Sequence, residues 1–318
     1  MTAKAETPPR SGLEAVLRAG RFAVTAEMQP VNGADPEQVR RLASGLKGRV
    51  DAANCTDNAA ARPHLSPLAT GRFVVEAGVE PIVQLTCRDR NRLGLQADLL
   101  GASALGARNV LLLTGDDVSS GDHPEAKPIF DLDSLHLLRI ARILRDRGTY
   151  LSGRALSSRP AYFVGAVENP FAPPHDFRPV RLSKKVEAGA EFIQTQICFN
   201  LPRLREFMDR VRDLGLLERV FVLVSVYVAR STRALRFLRD VVPGIDVPDS
   251  VMDRLAGVPA GEAAKEGFRL ALETVAALRE IPGVSGVHLI SISGQEAILR
   301  LIDEAGLRRE SEVGKSEA

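Results

Sequence analysis

The sequence predicts a single (β/α)₈ barrel, the TIM-barrel class of α/β folds, and three observations support this. Short β-branched runs alternate with longer helical patterns about eight times along the 318 residues, which is typical of a parallel sheet. Runs such as VLLLT and VFVLV are apolar throughout, as strands covered on both faces must be. Gly78, Gly106 and Gly189 precede predicted strands and suit the positive φ at which helices end. Eight units in this length favour a closed barrel over an open doubly wound sheet, and over the two domains that length alone suggests.

The periodicity places each element in turn. The predicted strands are Phe22–Glu27, Val50–Asn54, Pro81–Thr86, Asn109–Thr114, Ala161–Ala166, Phe192–Ile197, Val220–Val224 and Gly286–Ile290. The predicted helices are Pro36–Gly45, Leu65–Ala77, Arg90–Leu105, Asp133–Arg147, Ser183–Ala188, Leu201–Leu214, Thr232–Val241, Gly261–Arg279 and Gln295–Ala305. The barrel is expected to occupy residues 19–308, with a flexible segment at 1–18 and a flexible tail at 309–318.

Composition excludes several classes of protein. Forty-two basic and 40 acidic residues give a net charge of +2, so neither nucleic acid nor an acidic membrane surface is an expected partner. No apolar run approaches the length of a membrane span, and the polar start of the chain lacks the apolar stretch of a signal peptide. The three cysteines have no metal-ligand spacing, so we expect a cytoplasmic chain without a metal site. The sequence contains no GxGxxG motif after a strand, no P-loop and no GxSxG elbow.

Three polar residues lie at the carboxyl ends of predicted strands, the end where barrels carry their active sites. Glu27 is a candidate general acid, and a structural carboxylate paired with a cation is the alternative. Asp116 follows Gly115 and is either a ligand contact or a helix or turn cap. Gln196 can donate and accept hydrogen bonds, either to a ligand or within the core.

The loops at this end are unusually long. Residues 167–179 and 225–260 exceed plain connectors, so we expect lids or site walls there, and we expect the SISGQ segment at 291–295 to contribute as well.

At these strand ends the chain resembles the methylenetetrahydrofolate reductase family. The matching segments include AEMQPVNGADPEQV, QLTCRDRNRLGLQADLLGASALGARNVLLLTGDD, KKVEAGAEFIQTQICFN and GVHLIS, in order between about residues 20 and 307. In detail they most resemble the branch found in acetyl-CoA-pathway bacteria. The resemblance implies a (β/α)₈ flavoprotein of one-carbon metabolism and methionine biosynthesis. Such an enzyme reduces 5,10-methylenetetrahydrofolate to 5-methyltetrahydrofolate by hydride transfer from the flavin.

The resemblance also implies roles for individual residues. Glu27 would be the general acid that opens the five-membered ring of the folate, Asp116 would lie beside the flavin and the folate, and Gln196 would bind the pterin and approach the nicotinamide. The positions that match the family's flavin contacts are Asn54, Gln84, Thr86, Leu113, Thr114, Gly115, Asp116, Phe130, Ala166, Lys184 and Lys185, with the two lysines near the phosphates. From the residues alone, a solvated basic face is the favoured interpretation of the two lysines.

Departures from the family pattern leave the cofactor open. Gln29-Pro30-Val31 replaces the usual Pro-Pro, Gln84 stands where histidine is frequent, and Thr114 stands where arginine is common. FAD is the expected cofactor, with FMN or no tightly bound flavin as alternatives. The electron donor is NADH, NADPH or a redox-partner protein. The resemblance is compatible with a homo-oligomer or with a complex that contains an iron–sulfur or zinc partner subunit, and the sequence does not decide the oligomeric state.

Two other functions compete with the reductase. The first is a folate-binding barrel of the methyltransferase type, which would hold the same pterin without a redox cofactor. The second is a non-catalytic barrel subunit of a larger redox complex.

Overall fold

The computed structural model describes residues 8–291 and 294–307. In these residues, eight parallel strands close into a barrel in sequence order. Closure follows because β1 (Ala23–Glu27) pairs with both β2 (Ala52–Cys55) and β8 (Val284–Ile290). The strands between them are β3 (Pro81–Thr86), β4 (Asn109–Leu113), β5 (Phe163–Glu168), β6 (Phe192–Ile197) and β7 (Phe221–Tyr227). The predicted (β/α)₈ barrel is confirmed.

Helices surround the strands and shield their outer faces. They are α1 (Gly12–Arg18), α2 (Pro36–Leu46), α3 (Pro67–Glu76), α4 (Arg92–Ala104), α5 (Ser134–Arg142, continued by a π-helical turn at Ile143–Arg147), α6 (Phe177–Ala188), α7 (Leu201–Asp213), α8 (Thr232–Val241), α9 (Asp249–Ala256), α10 (Ala263–Arg279) and α11 (Gln295–Glu304). The glycines predicted to end helices do so: φ is +77° at Gly78, +96° at Gly106 and +128° at Gly189. α6 begins at Phe177 rather than at the predicted Ser183, because Pro179 fits the first turn, where no backbone donor is needed.

The amino-terminal part of the chain corrects the prediction of a flexible segment through residue 18. α1 covers the lower end of the barrel, where Leu13, Val16 and Leu17 are buried against the first residues of the strands. Glu80 anchors the helix start, since its carboxylate accepts hydrogen bonds from Gly12 N (2.7 Å) and Leu13 N (3.0 Å). Burial of this apolar face holds the segment in place. Residues 1–7 and the predicted tail at 309–318 lie outside the described residues.

The long segment after β7 is helical. α8 and α9 pack on each other, and Leu235, Leu238, Met252 and Leu255 join Tyr227 in a separate apolar cluster. The prediction placed a lid or wall here and missed α9. Two residues of the SISGQ segment, Ile292 and Ser293, lie outside the described part of the chain.

The barrel interior changes character from one end to the other. Its lower layer is apolar and contains Ala23, Ile82, Phe163, Phe192 and Leu223, which pack against α1. The next layer up is polar and hydrogen-bonded. The top layer opens to solvent at the carboxyl ends of the strands, which places the candidate site there.

Candidate active site at the carboxyl ends of the strands

A cavity of about 240 Å³ opens at the carboxyl ends of the strands and reaches down to the polar middle layer. Its walls come from all eight strands and from the loops after β2, β3 and β4. The lining residues are Glu27, Asn54, Thr56, Asp57, Ala59, Gln84, Thr86, Arg88, Leu111, Leu113, Gly115, Asp116, Val167, Gln194, Thr195, Gln196, Ser225, His288 and Ile290.

Glu27 is the carboxyl group at the top of β1. Its side chain points into the barrel, two residues above Thr25, and its strand neighbour is Asn54 on β2. The surrounding protein raises the pKa of Glu27 from an ordinary 4.5 to about 7, because burial disfavours the charged form. Within the described chain, no hydrogen bond or ion pair reaches this carboxyl group. Glu27 can therefore hold a proton near neutral pH and release it to a ligand in the cavity.

A network of neutral side chains forms the floor beneath Glu27. The amides of Asn54 and Gln194 pair with each other, at 2.6 Å from Asn54 Nδ2 to Gln194 Oε1 and 3.1 Å from Gln194 Nε2 to Asn54 Oδ1. Gln194 Nε2 also lies 3.3 Å from Thr25 Oγ1, and Thr25 Oγ1 lies 3.0 Å from His288 Nδ1. Burial lowers the pKa of His288 to about 3, so its imidazole is neutral. Neither amide donates a hydrogen bond to Glu27.

Arg88 connects two loops at the cavity rim. Its guanidinium donates to the carbonyl oxygens of Asn58 (3.1 Å), after β2, and Asp116 (3.3 Å), after β4. Asp89 accepts two further hydrogen bonds from the same guanidinium, both at 2.7 Å. The side chain of Arg88 is only 2% exposed. This buried guanidinium holds the two loops together and fixes the position of Asp116.

The same two loops contain strained backbone. Asn58, Ala60 and Ala61 after β2, and Phe130 after β4, have positive φ values between 38° and 55°, which non-glycine residues adopt at a cost. Ala60 N donates to Asp116 Oδ2 at 3.2 Å. A Cβ on Gly121 would overlap the carbonyl of Ala61, so the loops are packed backbone to backbone. Such strain is common at ligand sites.

Two amide side chains present free hydrogen-bonding groups to the cavity. Gln196 uses Oε1 to accept from Ile197 N at 2.9 Å, which leaves its amide N–H groups for a ligand. The pairing of β6 and β7 shifts register between Gln194 and Ile197, and such irregularities re-aim side chains near active sites. Gln84 projects from β3, and its amide has no hydrogen-bond partner in the described chain. Both amides could contact the polar edge of a heterocycle.

Gly115 is a point on the cavity wall at which a ligand can approach the backbone closely. Its φ is +98°, and a Cβ there would lie 3.0 Å from Arg88 Cβ and 3.1 Å from Thr86 Cβ. The backbone at this point is therefore bare on the cavity wall. Thr86 itself is held by Asp57, whose Oδ2 accepts from Thr86 N at 2.7 Å and from Thr86 Oγ1 at 3.0 Å.

The structure brings together most of the predicted site residues. Those that line the cavity are Glu27, Asn54, Gln84, Thr86, Leu113, Gly115, Asp116 and Gln196. Thr114 lies between two of them, on the backbone that joins Leu113 to Gly115.

Four predicted flavin contacts lie elsewhere. Ala166 packs in the core outside the barrel wall, because its position on β5 alternates with that of Val167. Lys185 is buried behind β5, 2.9 Å from Glu168, and also donates to the carbonyl of Val167. Lys184 is exposed on α6, 5.2 Å from the centre of the Phe177 ring, and Phe130 is a partly exposed loop residue outside the lining. As described, neither lysine faces the cavity.

Sequence reasoning missed Gln194 and His288 as site residues. A usable signal existed for Gln194, because Phe192, Gln194 and Gln196 share one face of β6 by strict alternation. A signal also existed for His288, because it lies within the otherwise apolar predicted strand Gly286–Ile290. The bonds from Arg88 to the backbone carbonyls of two other loops are contacts that no sequence pattern indicates.

The described part of the chain contains neither a metal-binding cluster nor a membrane-spanning helix. In residues 8–291 and 294–307, no cluster of three or more histidine, cysteine, aspartate or glutamate side chains has the arrangement of a metal site. The helices of the same ranges include none with the length and hydrophobicity that crossing a bilayer requires.

Comparison with known sequences identifies the family. A family model described as methylenetetrahydrofolate reductase matches residues 12–306. Methylenetetrahydrofolate reductase 2 of Schizosaccharomyces pombe is 28% identical over 237 residues, which cover 71% of this chain and 35% of that protein. A probable methylenetetrahydrofolate reductase (NADPH) of Caenorhabditis elegans is 24% identical over 235 residues, 72% of this chain and 33% of that protein. The chain thus spans about a third of the length of these curated relatives.

Solved structures agree in fold. A protein from Clostridium thermocellum that binds two copies of 5-methyl-5,6,7,8-tetrahydrofolic acid superposes with a TM-score of 0.65 at 14% identity, covering 93% of this chain and 100% of that one. A riboflavin lyase with modified FMN superposes with a TM-score of 0.56 at 10% identity, covering 90% and 91%. At these identities the likeness concerns the barrel alone. The family match, which extends from α1 to the end of α11, decides the assignment: the chain belongs to the methylenetetrahydrofolate reductase family.

Proposed function

We propose that the chain reduces 5,10-methylenetetrahydrofolate to 5-methyltetrahydrofolate, with Glu27 as the general acid. The observation that carries this proposal is the placement of Glu27. It is the top interior residue of β1, in the cavity at the carboxyl ends of the strands, with a pKa raised to about 7 and no partner in the described chain. The folate-binding barrel of similar fold and the named relatives support the same substrate class.

Glu27 acts on the five-membered ring of the substrate. The ring opens when a carbon–nitrogen bond to the methylene carbon breaks and its electron pair remains on nitrogen. Glu27 supplies the proton that this nitrogen takes up, and an electrophilic iminium carbon results. A carboxyl group that is protonated near pH 7 can donate in this way, whereas an ordinary glutamate is almost fully ionised there. Hydride addition to the iminium carbon then gives the methyl group.

The cavity residues fit the ring system of a flavin, which when bound would supply the hydride. The free amide of Gln84 and the bare backbone at Gly115 match the polar edge and close stacking that a flat heterocycle needs. The phosphate positions do not fit, because the ammonium of Lys185 is bonded to Glu168 and Val167 behind the barrel wall. We therefore propose a flavin, FAD with FMN as the alternative, whose ring is held by the cavity without these lysines, and NADH or NADPH as the electron donor.

Asp116 and Gln196 position the ligands. Asp116 is fixed at the rim by Arg88 and by Ala60 N, so its charge bears on whatever ring occupies the cavity. Gln196 offers amide N–H groups from the opposite wall. We assign Gln196 to the pterin and Asp116 to both the folate and the flavin.

Activity of the purified protein and of Glu27→Gln tests the proposal. Wild-type protein supplied with flavin and NADH or NADPH should convert methylenetetrahydrofolate to methyltetrahydrofolate. Glu27→Gln should lower folate reduction by about 10²–10⁴-fold, the usual contribution of a positioned acid, while oxidation of the nicotinamide by an artificial acceptor continues. Glu218→Gln removes an exposed carboxylate and should change neither rate.

Two results would contradict the assignment. Unchanged folate reduction in Glu27→Gln would exclude Glu27 as the acid. Folate binding without any reduction by wild-type protein, with every donor tried, would favour the methyltransferase-type or non-catalytic alternatives.

A further inference from the structure

His288 is a buried histidine that no step above uses. It lies on β8 one layer below Glu27, it is 3% exposed, and its ring lines the cavity floor. Its strand neighbour is Thr25. A neutral imidazole carries one hydrogen, on either Nδ1 or Nε2, and the two forms present different groups to a ligand.

The network around Nδ1 selects one form. The amide of Gln194 pairs twice with Asn54 in the orientation that directs its Nε2 toward Thr25 and His288. That nitrogen, which can only donate, is 3.4 Å from His288 Nδ1, and the Thr25 hydroxyl is 3.0 Å from the same atom. A hydrogen on Nδ1 would face the Gln194 amide donor, whereas a lone pair there can accept from that amide or from the Thr25 hydroxyl, whose other acceptor is the Val287 carbonyl at 3.3 Å. Nδ1 is therefore the acceptor, and the single hydrogen lies on Nε2.

The Nε2–H group then has no protein partner. No hydrogen bond in the described ranges reaches Nε2, and the ring borders the cavity. A donor that faces a largely enclosed cavity without a protein acceptor is best satisfied by a ligand or a water molecule. The network thus maintains an oriented donor toward the space in which a ligand is expected.

We infer that Thr25, Asn54 and Gln194 hold His288 as its Nε2–H tautomer, and that His288 binds a ring acceptor atom of a pteridine in the cavity. The inference rests on the proposed function, which supplies the class of ligand. Reduced folates and flavins share the pteridine ring and its carbonyl and nitrogen acceptors, so the chemistry is common to both. Among the charged side chains that line the cavity, Glu27, Asp57, Arg88 and Asp116 lie on other strands and loops, and none bonds to His288.

Two substitutions of His288 distinguish the Nε2–H donor from the hydrogen-bond network at Nδ1. In His288→Gln the amide nitrogen can reach the position of Nε2 and keeps a donor toward the cavity. In His288→Asn the amide reaches only the position of Nδ1, so the network survives but the donor is lost. The dissociation constants of 5-methyltetrahydrofolate and of FAD are measured for both variants, with unfolding temperature as a check on the fold. His123→Asn, at an exposed loop histidine, is the control.

We expect His288→Asn to weaken binding of one of the two ligands about tenfold, the effect of one hydrogen bond to a buried partner. His288→Gln should remain within about threefold of wild type for that ligand. Loss confined to 5-methyltetrahydrofolate would identify the pterin as the acceptor, and loss confined to FAD would identify the flavin. If neither variant folds, ¹⁵N NMR of the wild-type histidine decides the tautomer on which the inference depends.

Three outcomes would overturn the inference. They are unchanged binding of both ligands by His288→Asn, loss in His288→Gln but not in His288→Asn, and an Nδ1–H tautomer by NMR. Each can occur while the wild-type protein binds and reduces folate, which leaves the proposed function intact. Absence of folate and flavin binding by the wild-type protein would instead refute both.

Discussion

The two ends of the barrel interior contrast with each other along the same strands. At the lower end, Phe163 and Phe192 stack with ring centres 5.0 Å apart and α1 closes the barrel beneath them. At the upper end, Glu27 and Gln84 face a cavity without partners in the described chain. Within the single strand β1, the interior face passes from buried Ala23 through hydrogen-bonded Thr25 to Glu27. The comparison shows that one alternating strand can supply packing at its start and chemistry at its end, separated by a single polar layer.

If the lower end serves stability alone, a large-to-small substitution there should leave ligand binding intact. Phe192→Ala should lower the free energy of unfolding by about 3–5 kcal/mol, because it removes a fully buried ring and its stacking contact with Phe163. Urea denaturation measures the loss, and the folate dissociation constant should stay within about twofold of wild type. Phe237→Ala, at a side chain that is 53% exposed, is the control and should change stability by less than about 0.5 kcal/mol. Weaker folate binding at unchanged stability would refute the separation of the two ends.

The pH dependence of the upper end should follow Glu27. Because its pKa is about 7 in the folded chain and ordinarily 4.5, kcat/KM for folate reduction should fall about tenfold per pH unit above 7 as the acid ionises. The folded chain keeps this proton between pH 4.5 and 7 while the unfolded chain releases it. The contribution to unfolding free energy is therefore full below pH 4.5 and is lost as pH rises through 7.

Stability and rate measurements at several pH values check both effects. Glu27→Gln should lack this stability loss between pH 4.5 and 7, and its residual rate should not follow the same titration. A wild-type rate that is flat between pH 7 and 9, with chemistry rate-limiting, would contradict the raised pKa.

A smaller effect concerns the close approach at Gly115. Gly115→Ala and Gly153→Ala introduce a Cβ at similar φ values, +98° and +87°, but only the first meets neighbouring atoms, on Thr86 and Arg88. Both should lose about 1 kcal/mol of stability from the backbone. Only Gly115→Ala should weaken flavin or folate binding, by several-fold in a titration. Equal binding by the two variants would show that the bare backbone at Gly115 does not contact a ligand.

The sequence predicted the barrel because periodicity records which face of each element is buried. It also predicted the mouth residues, since carboxyl ends of parallel strands converge at one edge. α1 was missed although Ser11 and Glu14 form a helix start, with Glu14 N donating to Ser11 Oγ at 3.0 Å, because the apolar run of the helix is short. Lys185 shows what the sequence could not predict. Its position in a helix indicates which helix face it lies on, but the buried carboxylate of Glu168 that binds it belongs to another element.

Because α1 closes the lower end of the barrel, it affects how ligands enter and leave the cavity. Leu13 and its neighbours cover the lower end of the barrel, so a ligand cannot leave through the bottom and must enter and depart on the side of the carboxyl ends of the strands. Two ligands that must each contact the same interior atoms therefore bind one after the other through the end of the barrel at which the strands terminate. The order of arrivals and departures is thereby constrained by a short amino-terminal helix at the opposite end of the barrel.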